Sequence, residues 1–238
     1  MRQKTQNHGE KASHAARQAI ESAALALFAR KGFDAATTRE ICANAGVTKP
    51  VLYYYFGCKV HLYEDLIVRS FDEVRDQLAQ ASRRGANTRE KLVEMVAALF
   101  AHTRSSPERS RLAFHLMFAP PAYKVGIDFS GHWDPVEKTV QRVVEEGVAA
   151  GEIQGDAEKI TAALLGAQTY YVINFLVSGK PKLDRALASS LVDLLSGGIQ
   201  APVAARNNWQ NGIRRGQKPR NHRPRMASNN LRRRTPRR

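Results

Sequence analysis

The sequence predicts an all-α protein, with a three-helix helix-turn-helix domain at its N-terminus and a larger helical body, about nine helices in all. Three observations predict it. Apolar residues recur at helical spacing along most of the chain, and no segment shows the alternation of a strand. Glycines, prolines and capping pairs punctuate that pattern at helix-length intervals. The run from Thr37 to Leu66, TTREICANAGVTKPVLYYYFGCKVHLYEDL, reads as a helix, a tight turn, a short aromatic helix and the start of a longer one. That order sets a helix into a DNA major groove.

The elements follow in chain order. Ile20, Ala23, Ala24, Leu27 and Phe28 form one apolar helix face, which Gly32 ends. Thr37, with Glu40 three residues on, is a capping box that opens the second helix. Gly46 supplies the turn, and the aromatic helix spans Thr48 to Phe56. From Lys59 a long helix carries Leu62, Tyr63, Leu66, Ile67, Phe71, Val74 and Leu78, and ends before Arg83. Asn87 and Glu90 cap the next helix, and Ser106-Pro107 opens another with proline where its missing N–H costs nothing. That helix stops at Pro120-Pro121, and a loop rich in glycine and aromatics runs from Ala122 to Trp133. Asp134-Pro135 starts a helix with a valine stripe, closed by Gly151. Two last helices are predicted over Asp156–Ser178 and Pro181–Ser196.

Composition sets the outer limits. Of 238 residues, 43% are hydrophobic, enough for a substantial core. The net charge of +15 is unevenly placed: residues 201–238 hold 12 basic and no acidic residues. The domain reading is a disordered arm over 1–12, a helix-turn-helix domain over 13–60, a helical body over 61–200 and a disordered basic tail over 201–238. The tail is either a non-specific nucleic-acid tether or a solvated segment without a dedicated role. The two cysteines, Cys42 and Cys58, form neither a disulfide framework nor a CxxC pair. No uninterrupted apolar run spans a membrane and no signal peptide opens the chain, so a cytoplasmic protein is expected. The seven histidines form no HExxH or close metal set, and GxSxG, P-loop and GxGxxG motifs are absent. An enzyme, a metal and a cofactor are therefore not expected. A protein that coats nucleic acid without reading its sequence is the remaining rival.

A recognition helix needs an exposed face that reaches base edges, and donors on its flanks for phosphates. Thr48, Lys49, Pro50 and Val51 open the third helix; Lys49 suits guanine and Val51 a thymine methyl. Tyr53, Tyr54 and Tyr55 point in three directions, which a buried stripe does not explain. Thr38 and Lys59 lie at helix starts, where phosphates bind. Leu52, Phe56, Ile41 and Val47 are core.

From Ala15 to Leu66 these residues resemble the TetR family of transcriptional repressors. The resemblance implies an all-α homodimer whose body binds a small molecule and dimerises, and which leaves a palindromic operator when that molecule enters. It assigns phosphate contacts to Thr38, Tyr53, Tyr55 and Lys59. Arg39, Thr48, Lys49, Pro50, Val51 and Tyr54 approach bases or nearby backbone. Cys58 stands where many members carry Ser or Asn, a poorer cap for the fourth helix, and Val60 replaces a common Glu. Cys58 reads either as a thiol sensor at a helix start or as a weakly capping, half-buried side chain. Cys42 reads as buried filler.

The body carries no motif as sharp. Candidates to line an effector pocket are Phe71, Leu99, Phe100, His102, Phe114, Met117, Phe118, Tyr123, Trp133 and Tyr170, each of which also suits a core. An apolar or aromatic small molecule is the expected effector. Leu164, Gln168, Tyr171 and Phe175 on one helix, and Leu187, Leu191, Leu194 and Leu195 on the next, pack either within the chain or across a two-fold axis; the family resemblance favours the homodimer.

Overall fold

The computed structural model describes residues 2–118 and 129–197, with side chains over 13–118 and 130–196. Among the described residues there are nine α-helices and no strand. They are α1 (Arg2–Ala35), α2 (Thr38–Ala45), α3 (Lys49–Phe56), α4 (Lys59–Ala81), α5 (Thr88–Ser105), α6 (Pro107–Phe118), α7 (Phe129–Ala149), α8 (Ala157–Ser178) and α9 (Arg185–Gly197).

The first three helices and the start of α4 make the head. Ile20, Ala24, Leu27 and Phe28 of α1 are buried against Ile41 and Cys42 of α2, Leu52 and Phe56 of α3, and Leu62 and Tyr63 of α4. Each large side chain buried this way stabilises by roughly 1.5–3 kcal/mol. Tyr63 meets Phe28 edge-on, with ring centroids 5.2 Å apart. Gly32 leaves helical geometry at φ 82°, ψ 168°, and the chain turns through Phe33 to Ala36 before α2 begins. The predicted capping box is present: the Glu40 N–H donates to Thr37 Oγ1 at 3.2 Å, and the Thr37 N–H donates to Glu40 Oε2 at 3.0 Å. Gly46 closes α2 in the left-handed region, φ 66°, ψ 29°, where a side chain would be strained.

In the body, α5 is central and packs on α4, α6, α7, α8 and α9. Its Leu92, Val93, Met95, Val96 and Phe100 are buried with Val136, Val140, Val143 and Val144 of α7 and Ala188, Leu191 and Val192 of α9. The start of α5 lies hard against α7 at Gly147, where a Cβ would come within 2.5 Å of Thr88 Cγ2. Glu152 holds that contact by accepting the Thr88 N–H at 2.7 Å.

Head and body meet twice. The α4 helix runs from one into the other, and α6 packs along α1. A four-residue ion cluster pins α1 to α4: Arg17 pairs with Glu21 at 2.9 Å and Asp65 at 3.1 Å, and Arg69 pairs with the same two acids at 3.1 Å.

Three expectations need correction. The backbone of residues 2–12 continues α1 rather than forming a disordered arm; the stretch contains no proline to interrupt a helix. Helix α7 begins at Phe129, so the predicted loop ends earlier and Pro135 sits inside the helix. Packing of His132 and Trp133 against Phe71 accompanies that extra turn. Helix α9 begins at Arg185 rather than Pro181, because the Asp184 carboxylate accepts the Leu187 N–H at 3.0 Å and caps it there. Cys58 matches its reading as a weakly capping, half-buried side chain, its Sγ accepting the His61 N–H at 3.4 Å. The loop over 122–128, Tyr123 and the basic segment 201–238 lie outside the described residues.

Helix α8 is apolar nearly all round. Among the described residues it is the only helix long and apolar enough to cross a membrane by length and composition, with mean hydropathy 1.4. Its inner side, Leu164, Leu165, Gln168 and Val172, belongs to the body's interior.

Candidate nucleic-acid interface and ligand cavity

Helix α3 is held by Leu52 and Phe56, both buried, and by Val47 behind it. Helical spacing then sets Lys49 with Tyr53, and Pro50 with Tyr54, on outward faces. Lys49, Pro50, Tyr53 and Tyr54 are exposed, Tyr54 at 82%. Thr48 caps α3 only through its backbone, since its hydroxyl makes no cap hydrogen bond. Arg39 is exposed on α2 and Thr38 half-buried beside it. Arg39, Lys49, Tyr53 and Tyr54 have no polar partner among the described residues, so their donors are available to a ligand.

Three predicted DNA contacts are placed differently. The Lys59 ammonium donates to the carbonyls of Phe33 and Ala36, both at 3.0 Å, and lies 4.1 Å from the centroid of the Phe33 ring. It closes the gap left by the break at Gly32, so its first role is to hold the head together. The Tyr55 hydroxyl donates to Ser13 Oγ at 2.8 Å, and its ring packs half-buried against the core. Val51 is half-buried as well, leaving only part of its side chain to face outward. The rest of the predicted set stays together on one surface of α2 and α3.

The Glu40 carboxylate, beside this surface, is held down at about 2. The causes, largest first, are the hydrogen bond from Lys31, the Thr37 hydroxyl and the Thr37 N–H. Lys31 Nζ lies 2.6 Å and 2.7 Å from its two oxygens. The start of α2 is thereby fixed by a charged clamp rather than a cap alone.

A second feature lies in the body. A cavity of about 110 Å³ lies among α4, α5, α6, α7 and α8. Phe71, Leu99, His102, Phe114, Met117 and Trp133 line it as predicted. Phe100 does not; it is fully buried in the core behind. Phe118 and Tyr170 are 67% and 64% exposed, outside the cavity. Unpredicted lining residues include Ser70, Thr103, Ser110, Gln168 and Thr169. Gln168 carried a signal, as a polar residue among the buried, apolar Leu164, Leu165 and Val172; the others carried none so clear. His102 is buried, and desolvation pushes its imidazole below the ordinary value, with smaller effects from Glu73 and Arg109.

The predicted dimer residues divide in the same way. Leu164, Gln168 and Leu191 face inward and are buried. Tyr171, Phe175, Leu187 and Leu195 are half-buried against the core. Leu194 is exposed, at 57%, and the outward stripe of α8 is instead Ala162, Gly166, Tyr170 and Val177.

A three-helix head whose third helix is anchored on one side and carries polar donors on the other defines a helix-turn-helix domain. Residues 20–66 match the family of bacterial regulatory proteins called the tetR family. The match covers the head alone, and the relatives that share it carry the names of transcriptional regulators. The HTH-type transcriptional activator FasR of Mycolicibacterium smegmatis is 36% identical over 92 residues, 39% of this chain and 42% of that protein. The match thus spans less than half of that relative's length. The HTH-type transcriptional repressor KstR of Mycobacterium tuberculosis is 26% identical over 159 residues, 66% of this chain and 69% of its own. Among solved structures, the transcriptional regulator FadR of Bacillus subtilis in complex with stearoyl-CoA has the same fold. Its TM-score is 0.66 at 20% identity, covering 77% of this chain and 99% of that one.

Proposed function

We propose that this chain is a sequence-specific DNA-binding transcriptional regulator, a repressor that leaves a palindromic operator when a small apolar or aromatic molecule enters the body. One observation carries the reading: Arg39 on α2 and Lys49, Tyr53 and Tyr54 on α3 present unpaired donors, and the other side of α3 is locked in the core. The described body supports the rest. Tyr170, Val177 and Leu194 expose apolar surface on α8 and α9, which a second copy would cover across a two-fold axis. Two such heads would meet successive major grooves, about 34–36 Å apart. The cavity is walled partly by α6, which also packs on α1 of the head, and by α4, which continues into it. A ligand that favours one arrangement of these helices changes DNA affinity by the same factor that DNA changes ligand affinity. The working place is the cytoplasm, where such DNA lies.

Selection of bound sequences from random double-stranded DNA by the full chain tests this. An inverted repeat should emerge, and Tyr54→Ala should lose preference for it. Equal binding to unselected DNA would leave only the coating-protein reading. A second reading, activation, is favoured by the activator FasR among the relatives. A reporter driven from the selected site decides between them, since deletion of the gene raises expression for a repressor and lowers it for an activator.

A further inference from the structure

The wall of the body's cavity combines two kinds of surface. Phe71, Phe114 and Trp133 supply aromatic faces, with Phe71 and Trp133 edge-on at 6.5 Å. Between them stand buried polar side chains. Gln168 and His102 are each only 6% exposed. Neither side chain has a hydrogen-bond partner among the described residues, yet none of their polar atoms is sealed away in the interior. Both residues line the cavity, and His102 also borders a shallower hollow between α4 and α5. Ser110 Oγ donates to Thr103 Oγ1 at 3.3 Å on the same wall, which leaves the Thr103 hydroxyl hydrogen for another acceptor.

Charge is missing from this wall: no Asp, Glu, Lys or Arg lines it among the described residues. The nearest charges to His102, Glu73 and Arg109, are spent on each other in an ion pair that ties α4 to α6. Burial also favours the neutral form of His102. An ionised ligand group entering here would lose its water and meet no opposite charge. A hydrogen-bonding group would instead meet donors and acceptors already stripped of water.

We infer that the cavity takes an uncharged ligand: an aromatic or alicyclic body carrying one hydroxyl, carbonyl or amide group, which Gln168 and His102 orient. The inference deepens the regulator reading and rests on it only for the consequence, release from DNA. The aromatic walls hold the ring system, and the polar pair selects among molecules of one shape by their single polar group.

Isothermal titration calorimetry of the full chain without DNA, at neutral pH, tests the ligand class with 2-naphthol, 2-naphthoate, naphthalene and stearoyl-CoA. Naphthol should bind, and naphthoate should bind at least about 100-fold more weakly because its carboxylate is desolvated without a partner. Gln168→Leu should weaken naphthol about 3–10-fold, the worth of one neutral hydrogen bond, and leave naphthalene unchanged. Retained naphthalene binding also shows that the variant's cavity is intact. Naphthoate or stearoyl-CoA binding as tightly as naphthol overturns the inference, and so does failure of naphthol to bind. Operator affinity is measured separately. Naphthol binding that leaves operator affinity unchanged would sink the regulatory reading while keeping the ligand class.

Discussion

Lys49 and Lys59 both stand at the start of a helix, and the sequence assigns both to DNA. Their surroundings separate them. Lys49 is exposed and unpaired, whereas Lys59 is spent on the Phe33 and Ala36 carbonyls. Lys49→Ala should weaken operator binding and lower the salt slope by about 1 if the contact is to phosphate, or relax specificity at one base by about 1–3 kcal/mol if it is to a base edge; fluorescence anisotropy across salt concentrations distinguishes the two. Lys59→Met should instead lower stability in urea by roughly 1–3 kcal/mol, since two carbonyls lose their donor. The sequence could not show this, because the carbonyls converge only after Gly32 breaks α1. Gln168 and Tyr170 teach the same lesson. A helix that is apolar nearly all round offers no periodicity to say which stripe turns inward, so the residue expected at the interface lines the cavity and the one expected in the cavity faces out.

At the scale of elements, what is local was legible. Thr37 with Glu40 and Asn87 ahead of Glu90 cap as expected, since the donor and acceptor lie three residues apart. The starts of α7 and α9 were not, because tertiary packing and an unremarked Asp184 set them. The Glu40 clamp predicts a pH dependence. Its pKa is about 2 in the fold against an ordinary 4.5, so its stabilisation is complete above about 4.5 and is lost as the pH falls toward 2. Melting temperatures measured down that range should fall less steeply for Glu40→Gln than for the natural chain. Gly147 carries a packing prediction. A Cβ there would meet Thr88 Cγ2 at 2.5 Å and Oγ1 at 2.7 Å, and Glu152 prevents Thr88 from backing away. Gly147→Ala should destabilise by about 1–3 kcal/mol, seen as a lower urea midpoint at unchanged slope.

For the whole molecule, the head was readable as a helix-turn-helix, because its caps, turn and aromatic helix are local patterns, while the internal partners of Lys59 and Tyr55 were not. The body was readable only as a set of helices, because many apolar sequences fill the same space and its cavity is built from polar residues that single-helix patterns hide. The outward stripe of α8 links the two. Val177→Glu puts a charge on that stripe, in a residue already 82% exposed, and should leave the fold intact while halving the mass seen by light scattering. The stripe has a further consequence. When folded chains also associate, unfolding releases two chains from one particle, so dilution itself favours the unfolded state. The melting temperature of this protein should therefore climb with its concentration, and the Val177→Glu chain should melt at one temperature however much of it is in the cell.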